Sequence, residues 1–193
     1  MADTSAAVEA LKEAGAGDRI VYNQTFLSDQ TDYRTAIAAI KAKKADAVVL
    51  VLFPGALSSF FKQARQLKLE AEITGMETFE DEAEVKAAGG AMENAWYVNA
   101  SDPSDQFAAE FAAKYGLQPG WAAANACDSV SLLADAVAHA GPNRDKVRDF
   151  LATVKDYGGA AGTYSASGDN RFLLPAALKR VEAGKFIKIG ASN

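Results

Sequence analysis

The segment from Ala45 to Thr78, ADAVVLVLFPGALSSFFKQARQLKLEAEITGMET, constrains the fold of this chain more than any other. Asp46 to Phe53 is a nearly unbroken apolar run rich in Val and Leu, the pattern of a strand covered on both faces in a parallel sheet between helices. Pro54-Gly55 stops it. Leu57, Phe60, Phe61, Ala64 and Leu67 then fall on one stripe of a helix, with Lys62, Gln63, Arg65, Gln66 and Lys68 on the other side. Ala71 to Gly75 returns as a short strand. The spacing predicts a right-handed βαβ crossover whose loops at Phe53-Pro54-Gly55 and Met76-Glu77-Thr78 both lie at carboxyl ends of strands. Ligands of open α/β sheets bind at that edge.

The flanks extend the unit. Asp3 or Thr4 is a candidate N-cap for a first helix carrying Ala7, Val8, Leu11 and Ala14, ended by Gly15 and Gly17, with no strand before it. Ile20 to Phe26 reads as a strand, and a polar loop through Ser28 to Asp32 leads to a helix with Tyr33, Ala36, Ile37 and Ile40 inward. After Thr78, Glu80 to Glu82 place acid at a helix N-terminus, Gly89-Gly90 ends that helix, and Asn94 to Asn99 is a further strand. Ser101-Asp102-Pro103 opens a helix in which Phe107, Phe111 and Tyr115 recur every four residues. Ala122 to Ala140 is the longest helix, its stripe read as Ala126, Val130, Leu133, Ala134 and Val137, and Asp145 to Val154 is another. Leu178 to Val181 and Phe186 to Ile189 read as a hairpin around Glu182-Ala183-Gly184.

A chain of 193 residues buries roughly 70% of its unfolded surface and needs no staples. The net charge of −5 lacks the basic stripe of a nucleic-acid surface, so no nucleic-acid partner is expected. No apolar run approaches the ~20 residues of a membrane helix, and the amino terminus lacks a signal peptide's basic and apolar regions. With one His and one Cys, no zinc site of the usual ligands can be assembled. No metal or cofactor is expected.

Candidate catalytic groups are few. His139 ends the long helix, where a cation suits the dipole, and Cys127, on the same helix, reads as a buried structural thiol. Ser58 and Ser59 are accounted for by capping. Gly15-Ala16-Gly17-Asp18 follows a helix and precedes a strand, the reverse of a dinucleotide fingerprint. An enzyme of flavodoxin-like build would need a catalytic set that these residues do not supply. Glu77 stands apart. It follows a strand at the ligand edge, where one carboxylate suits a primary ammonium group, and it also fits a capping or solvated acid. Phe53, Pro54 and Met76 are its companions at that edge.

The central unit, SSFFKQARQLKLEAEITG, resembles the type I solute-binding proteins of ABC transporters, specifically the branched-chain amino-acid (Leu/Ile/Val) binding family. TDYRTAIAAIKAKKADAVV before it is similar to the same family. So, in family order, are FAAEFAAKYGLQP, NACDSVSLLADAVAHAG and VRDFLATVKDYGGAAGTYSASGDNRFLLPAALKRVEAGKF. The resemblance implies two α/β lobes closing on a ligand, with the second lobe offering an aromatic residue at Phe53 and an acid at Glu77. In amino-acid binders that acid holds the α-ammonium group and the aromatic packs on the ligand. Phe53 replaces a tyrosine often seen there. Asp128 matches an acid at a helix start, with a structural role.

The resemblance also implies what is missing. Members run to nearly twice this length, so Met1 reads as an internal start, and the first lobe and the second lobe's opening strand are absent. The expected fold is an α/β three-layer sandwich with a mainly parallel sheet, incomplete relative to the family. Residues 1–100 would form the second-lobe ligand-binding unit, 101–168 would be helices of the first lobe, and 169–193 would return to the second. The expected function is non-enzymatic: a periplasmic solute-binding protein, or a fragment of one, taking an amino acid or similar solute to an ABC permease. The alternative is a truncated fragment that self-associates with segment exchange and retains no ligand binding. Uncovered apolar faces would favour a homo-oligomer.

Overall fold

In the computed structural model, which describes residues 5–191, the chain forms two compact units. Residues up to Asn99 join Leu178–Gly190 in one, and Ala100–Ala177 make the other. The suggested N-cap at Asp3 or Thr4 lies outside the described residues.

The first unit begins with α1 (Ser5–Glu13), none of whose residues is buried, and a 3-10 turn at Gly17–Arg19. It continues with α2 (Arg34–Ala42), β1 (Ala47–Leu50), α3 (Leu57–Gln66), β2 (Glu72–Gly75), α4 (Glu82–Ala88) and β3 (Trp96–Ala100). The chain's last strands return to the same sheet, whose order is β1-β2-β3-β7-β8, with β7 spanning Ala176–Glu182 and β8 Lys185–Ala191. The first three strands are parallel, with Leu50 beside Gly75 and Gly75 beside Tyr97. The turn between β7 and β8 has positive φ at Ala183 (49°) and Gly184 (76°), the conformation that matches a hairpin's right-handed twist.

One face of this sheet is covered by α2, α3 and α4. Ile37, Ile40, Leu50, Leu57, Phe60, Phe61, Ala64, Phe79, Ala88, Tyr97 and Val181 form one core with them. A file of rings runs through it from Phe26 through Tyr33, Phe60, Phe61, Phe79 and Tyr97 to Phe186, neighbouring centroids 5.1 to 6.4 Å apart. Each such pair adds about 0.5–1.5 kcal/mol beyond its burial.

The expected cover on the second face is not found among the described residues. Val49 is 47% exposed and Val98 43%, because alternate side chains of a strand point to opposite faces and only the set containing Leu50 and Tyr97 meets the helices. Of the three layers read from the sequence, the described residues supply the sheet and one helical layer. The strand expected at Ile20 to Phe26 is likewise not seen: no strand runs through these residues, and among the described strands β1 is an edge. Gln63, read as a solvent-side residue, is buried. Its amide donates to the Thr31 carbonyl (2.8 Å) and accepts from Tyr33 N–H (2.7 Å), fixing the start of α2 against α3.

The second unit holds α5 (Asp105–Tyr115), α6 (Trp121–Ala140), α7 (Arg144–Ala152) and the small sheet β4 (Tyr157–Gly158), β5 (Thr163–Ala166) and β6 (Phe172–Leu173), antiparallel throughout. Asp128 organises it. Its carboxylate accepts from Ala160 N–H (2.7 Å), Ala161 N–H (2.8 Å) and the Tyr164 hydroxyl (2.9 Å). Gly159 permits this approach, since an added Cβ would lie 2.5 Å from that carboxylate. The buried stripe of α6 is therefore Ala124, Asp128, Leu132 and Ala136. The stripe read from the sequence faces out, Val130 being 70% exposed. Cys127 falls off the buried stripe and is exposed, not the buried thiol expected.

Candidate functional site

The loops that leave β1 and β2 depart side by side, because Leu50 pairs with Gly75 in the parallel register. Phe53 and Pro54 follow the first strand, Met76 and Glu77 the second. All four sequence-predicted residues therefore stand at one carboxyl edge of the sheet. Phe53 is 54% exposed, Met76 and Pro54 are exposed, and Glu77 is half-buried. Among the described residues the Glu77 carboxylate has no hydrogen-bond or ion-pair partner.

Two carboxylates, Glu84 buried and Glu80 partly buried, hold these loops in place. The first is Glu84 of α4, which accepts from Gly55 N–H (2.6 Å) and Ser58 N–H (2.7 Å). Helix α3 has Ala56 as its N-cap and no side-chain cap, so a neighbouring helix supplies the acceptor that a capping residue ordinarily provides. The capping role expected of Ser58 and Ser59 passes to Glu84. Helix α4 is itself capped by Asp81, whose carboxylate accepts from Ala83 N–H (2.8 Å) and Glu84 N–H (3.1 Å), and it ends on Gly89 in the left-handed region (φ 59°).

The second is Glu80. Its carboxylate accepts from Lys179 Nζ (2.9 and 3.0 Å), Asn99 Nδ2 (2.7 Å) and the Tyr97 hydroxyl (3.2 Å). Lys179 is 1% exposed, and a buried cation of this kind is tolerated only with a well-placed acid. Between Met76 and Glu80 the chain makes a 3-10 turn, closed by Phe79 N–H to Met76 O (2.9 Å) and Glu80 N–H to Glu77 O (3.0 Å). Phe79, fully buried, lies across the end of β2, where a Cβ on Gly75 would meet Phe79 Cε1 at 2.3 Å. Glycine at 75 lets the turn that carries Glu77 sit flat on the strand.

On the Phe53 side a void of about 20 Å³ is lined by Phe53, Val51, Leu52, Tyr33 and the segment from Gln24 to Ser28. It has room for about one water molecule. The edge is an open shelf that carries an exposed phenylalanine and a half-buried glutamate.

Glu80, Glu84 and Lys179 did not emerge from the sequence. Lys179 carried a signal, as the charged member of the inward set Ala177, Lys179 and Val181 in an alternating strand. Glu84 shares a helix stripe with Ala88, both buried. Glu80 had no comparable mark. His139 stacks on Phe150 at 5.2 Å and donates from Nδ1 to the Asp135 carbonyl (2.7 Å). In the second unit, burial followed by the Asp128 carboxylate pushes the Tyr164 phenol well above its ordinary value. Burial and Asp135 raise that of Tyr157. Among the described residues no group of three His, Cys, Asp or Glu side chains is placed to hold a metal ion.

Comparison with known proteins agrees with this architecture. A family model described as periplasmic binding protein matches residues 3–185. The fold is similar to a leucine binding protein, LivK, of Thermotoga maritima, with a TM-score of 0.82 at 19% identity over 93% of this chain and 55% of that one. It is also similar to the branched-chain amino acid transporter substrate binding protein LivJ of Streptococcus pneumoniae, solved with isoleucine: TM-score 0.72, 27% identity, 94% of this chain and 55% of that one. A solute binding protein of an R. palustris ABC transporter, solved with benzoate, gives 0.73 at 23% identity, covering 93% of this chain and 51% of that one. The chain spans about half the length of these relatives. With the family model covering nearly all of its residues, the chain belongs to the periplasmic binding protein family, with the fold of its branched-chain amino-acid transporter members.

Proposed function

We propose that the carboxyl edge of the first unit is one wall of an amino-acid binding site in an ABC-transporter solute-binding protein. Glu77 takes the α-ammonium group and Phe53, flanked by Pro54 and Met76, takes the apolar part. The observation that carries this reading is the Glu77 carboxylate, without a partner among the described residues, at the same sheet edge as Phe53, which is 54% exposed. A carboxylate and a ring at a sheet's carboxyl edge match an amphiphilic ligand with one cationic end. The isoleucine bound by LivJ has that chemistry, while the benzoate of the R. palustris protein lacks the amine. Glu77 is what selects between the two classes. On this reading the protein is non-enzymatic, works in the periplasm and hands its ligand to a membrane permease.

The test is calorimetric titration with leucine, isoleucine and valine, their amine-acylated forms and benzoate, on the wild-type chain and Glu77→Gln. A charge-assisted contact of about 1.5–3 kcal/mol predicts roughly tenfold or greater loss on blocking the amine or changing Glu77. Equal affinity for benzoate and isoleucine would reject the assignment of Glu77.

A second reading has its own support. Val49, Val98, Leu178, Ile187 and Ile189 are exposed on the sheet, and Val130, Leu133 and Val137 on α6. Apolar surface of this extent suits association of copies. A mass that stays monomeric across a hundredfold concentration range would remove this reading.

A further inference from the structure

The geometry points to Glu80 and Lys179 as the positioning pair of the ligand edge, with Asn99 and Tyr97 completing the clamp. Asn99 is the last residue of the first unit before the chain passes to the second, and Lys179 is the second residue after it returns. Their side chains meet on one carboxylate, which belongs to the residue that closes the turn carrying Glu77. Glu80 thus ties a three-residue turn to both strands by which the chain leaves and re-enters the unit.

The turn needs such a tie. It contains Thr78, whose hydroxyl is buried without a hydrogen-bond partner among the described residues, a cost that favours relaxation of the loop toward water. Gly75 before it offers little backbone resistance. Glu80 supplies the opposing force through four contacts, two of them from a cation with no access to solvent. Glu77 itself stays unpartnered. Its carboxylate is held at the edge by the backbone alone, and the backbone is held by Glu80. A ligand that meets a preset carboxylate avoids the cost of ordering it.

A merely structural pair makes a different prediction. Removing one member of a buried ion pair strands the other, whereas replacing both by apolar residues of similar size is often neutral for stability. The variants are therefore Glu80→Gln and the double variant Glu80→Leu with Lys179→Met, each in the full chain. Three readouts are taken: the midpoint of urea unfolding, hydrogen exchange at the amides of Phe79 and Glu80, and titration with isoleucine and amine-acylated isoleucine.

The positioning role predicts that Glu80→Gln lowers the unfolding midpoint and that the double variant, which removes the stranded cation but also the acceptor of Asn99 and Tyr97, restores part of it. In both, the two amides exchange about tenfold faster or more, and isoleucine binds about tenfold more weakly while the acylated form is unchanged. Wild-type exchange rates in the double variant overturn the inference, as does full isoleucine affinity there. The binding arm rests on Glu77 as the ammonium ligand; the exchange arm does not. If the wild-type chain binds no amino acid, the functional reading fails and the exchange rates still decide the role of the pair.

Discussion

Gly75→Ala perturbs the place where core and candidate site share atoms. The new methyl would lie 2.3 Å from Phe79 Cε1, 2.7 Å from Phe79 Cζ and 2.7 Å from the Leu50 carbonyl oxygen. Carbon atoms pack at about 3.5–4.0 Å, so the ring must retreat by roughly 1 Å or more. It has little room. Phe79 is fully buried, with Phe61 at 5.5 Å and Tyr97 at 5.9 Å on its two sides. The Leu50 oxygen belongs to the β1 backbone and cannot rotate away. Overpacking a core costs about 1–3 kcal/mol, and the backbone clash places this case at or above the upper part of that range. The assay is urea unfolding followed by Trp96, with Trp121→Phe as background so that the fluorescence reports the first unit. A loss of about 2–4 kcal/mol is expected, and Phe79→Ala should remove part of the added cost by taking the ring away. A loss below about 0.5 kcal/mol, the range of ordinary surface changes, would refute the placement of Phe79 over β2.

Three further outcomes follow from the hydrogen bonds. Glu84→Ala leaves the Gly55 and Ser58 amides without their acceptor and should cost about 2–4 kcal/mol in urea unfolding, a lost cap plus a buried unpaired donor. Gln63→Leu keeps the volume and strands Tyr33 N–H and the Thr31 carbonyl, with an expected loss of about 1–3 kcal/mol by the same assay. The Tyr164 phenol ionises at higher pH folded than unfolded, so its contribution is complete below about pH 10 and fades as pH rises toward the folded value. Tyr164→Phe should flatten the alkaline limb of the second unit's stability, measured by urea unfolding across that range, and an unchanged limb would reject the buried Tyr164–Asp128 contact.

Periodicity made much of the first unit legible. The run before Pro54, the stripe from Leu57 to Leu67 and the alternation around Ala183-Gly184 correspond to β1, α3 and the β7–β8 hairpin. Each pattern is local and needs no knowledge of distant residues. Ile20 to Phe26 has equal strand character and forms no strand, because a strand exists only with a ladder partner and none is described beside the β1 edge. Helix α6 misled for a related reason. It is apolar nearly all round, and the three hydrogen bonds of Asp128 choose its buried face, placing Val130 and Cys127 outside.

The candidate site divides the same way. Phe53 and Glu77 could be proposed because strand ends can be read from sequence and ligands collect there. The acids that hold their loops could not, since Glu80 finds Lys179 across 99 positions and Glu84 finds Ser58 across 26. Such pairings become visible only when the sheet order is known.

The most direct test of the binding account is a two-dimensional amide NMR titration of the labelled chain with isoleucine. The account predicts saturable shifts concentrated at residues 53–56 and 75–81, absent with amine-acylated isoleucine. A spectrum of a folded chain that does not respond at those residues, or that responds only along α6, would contradict it.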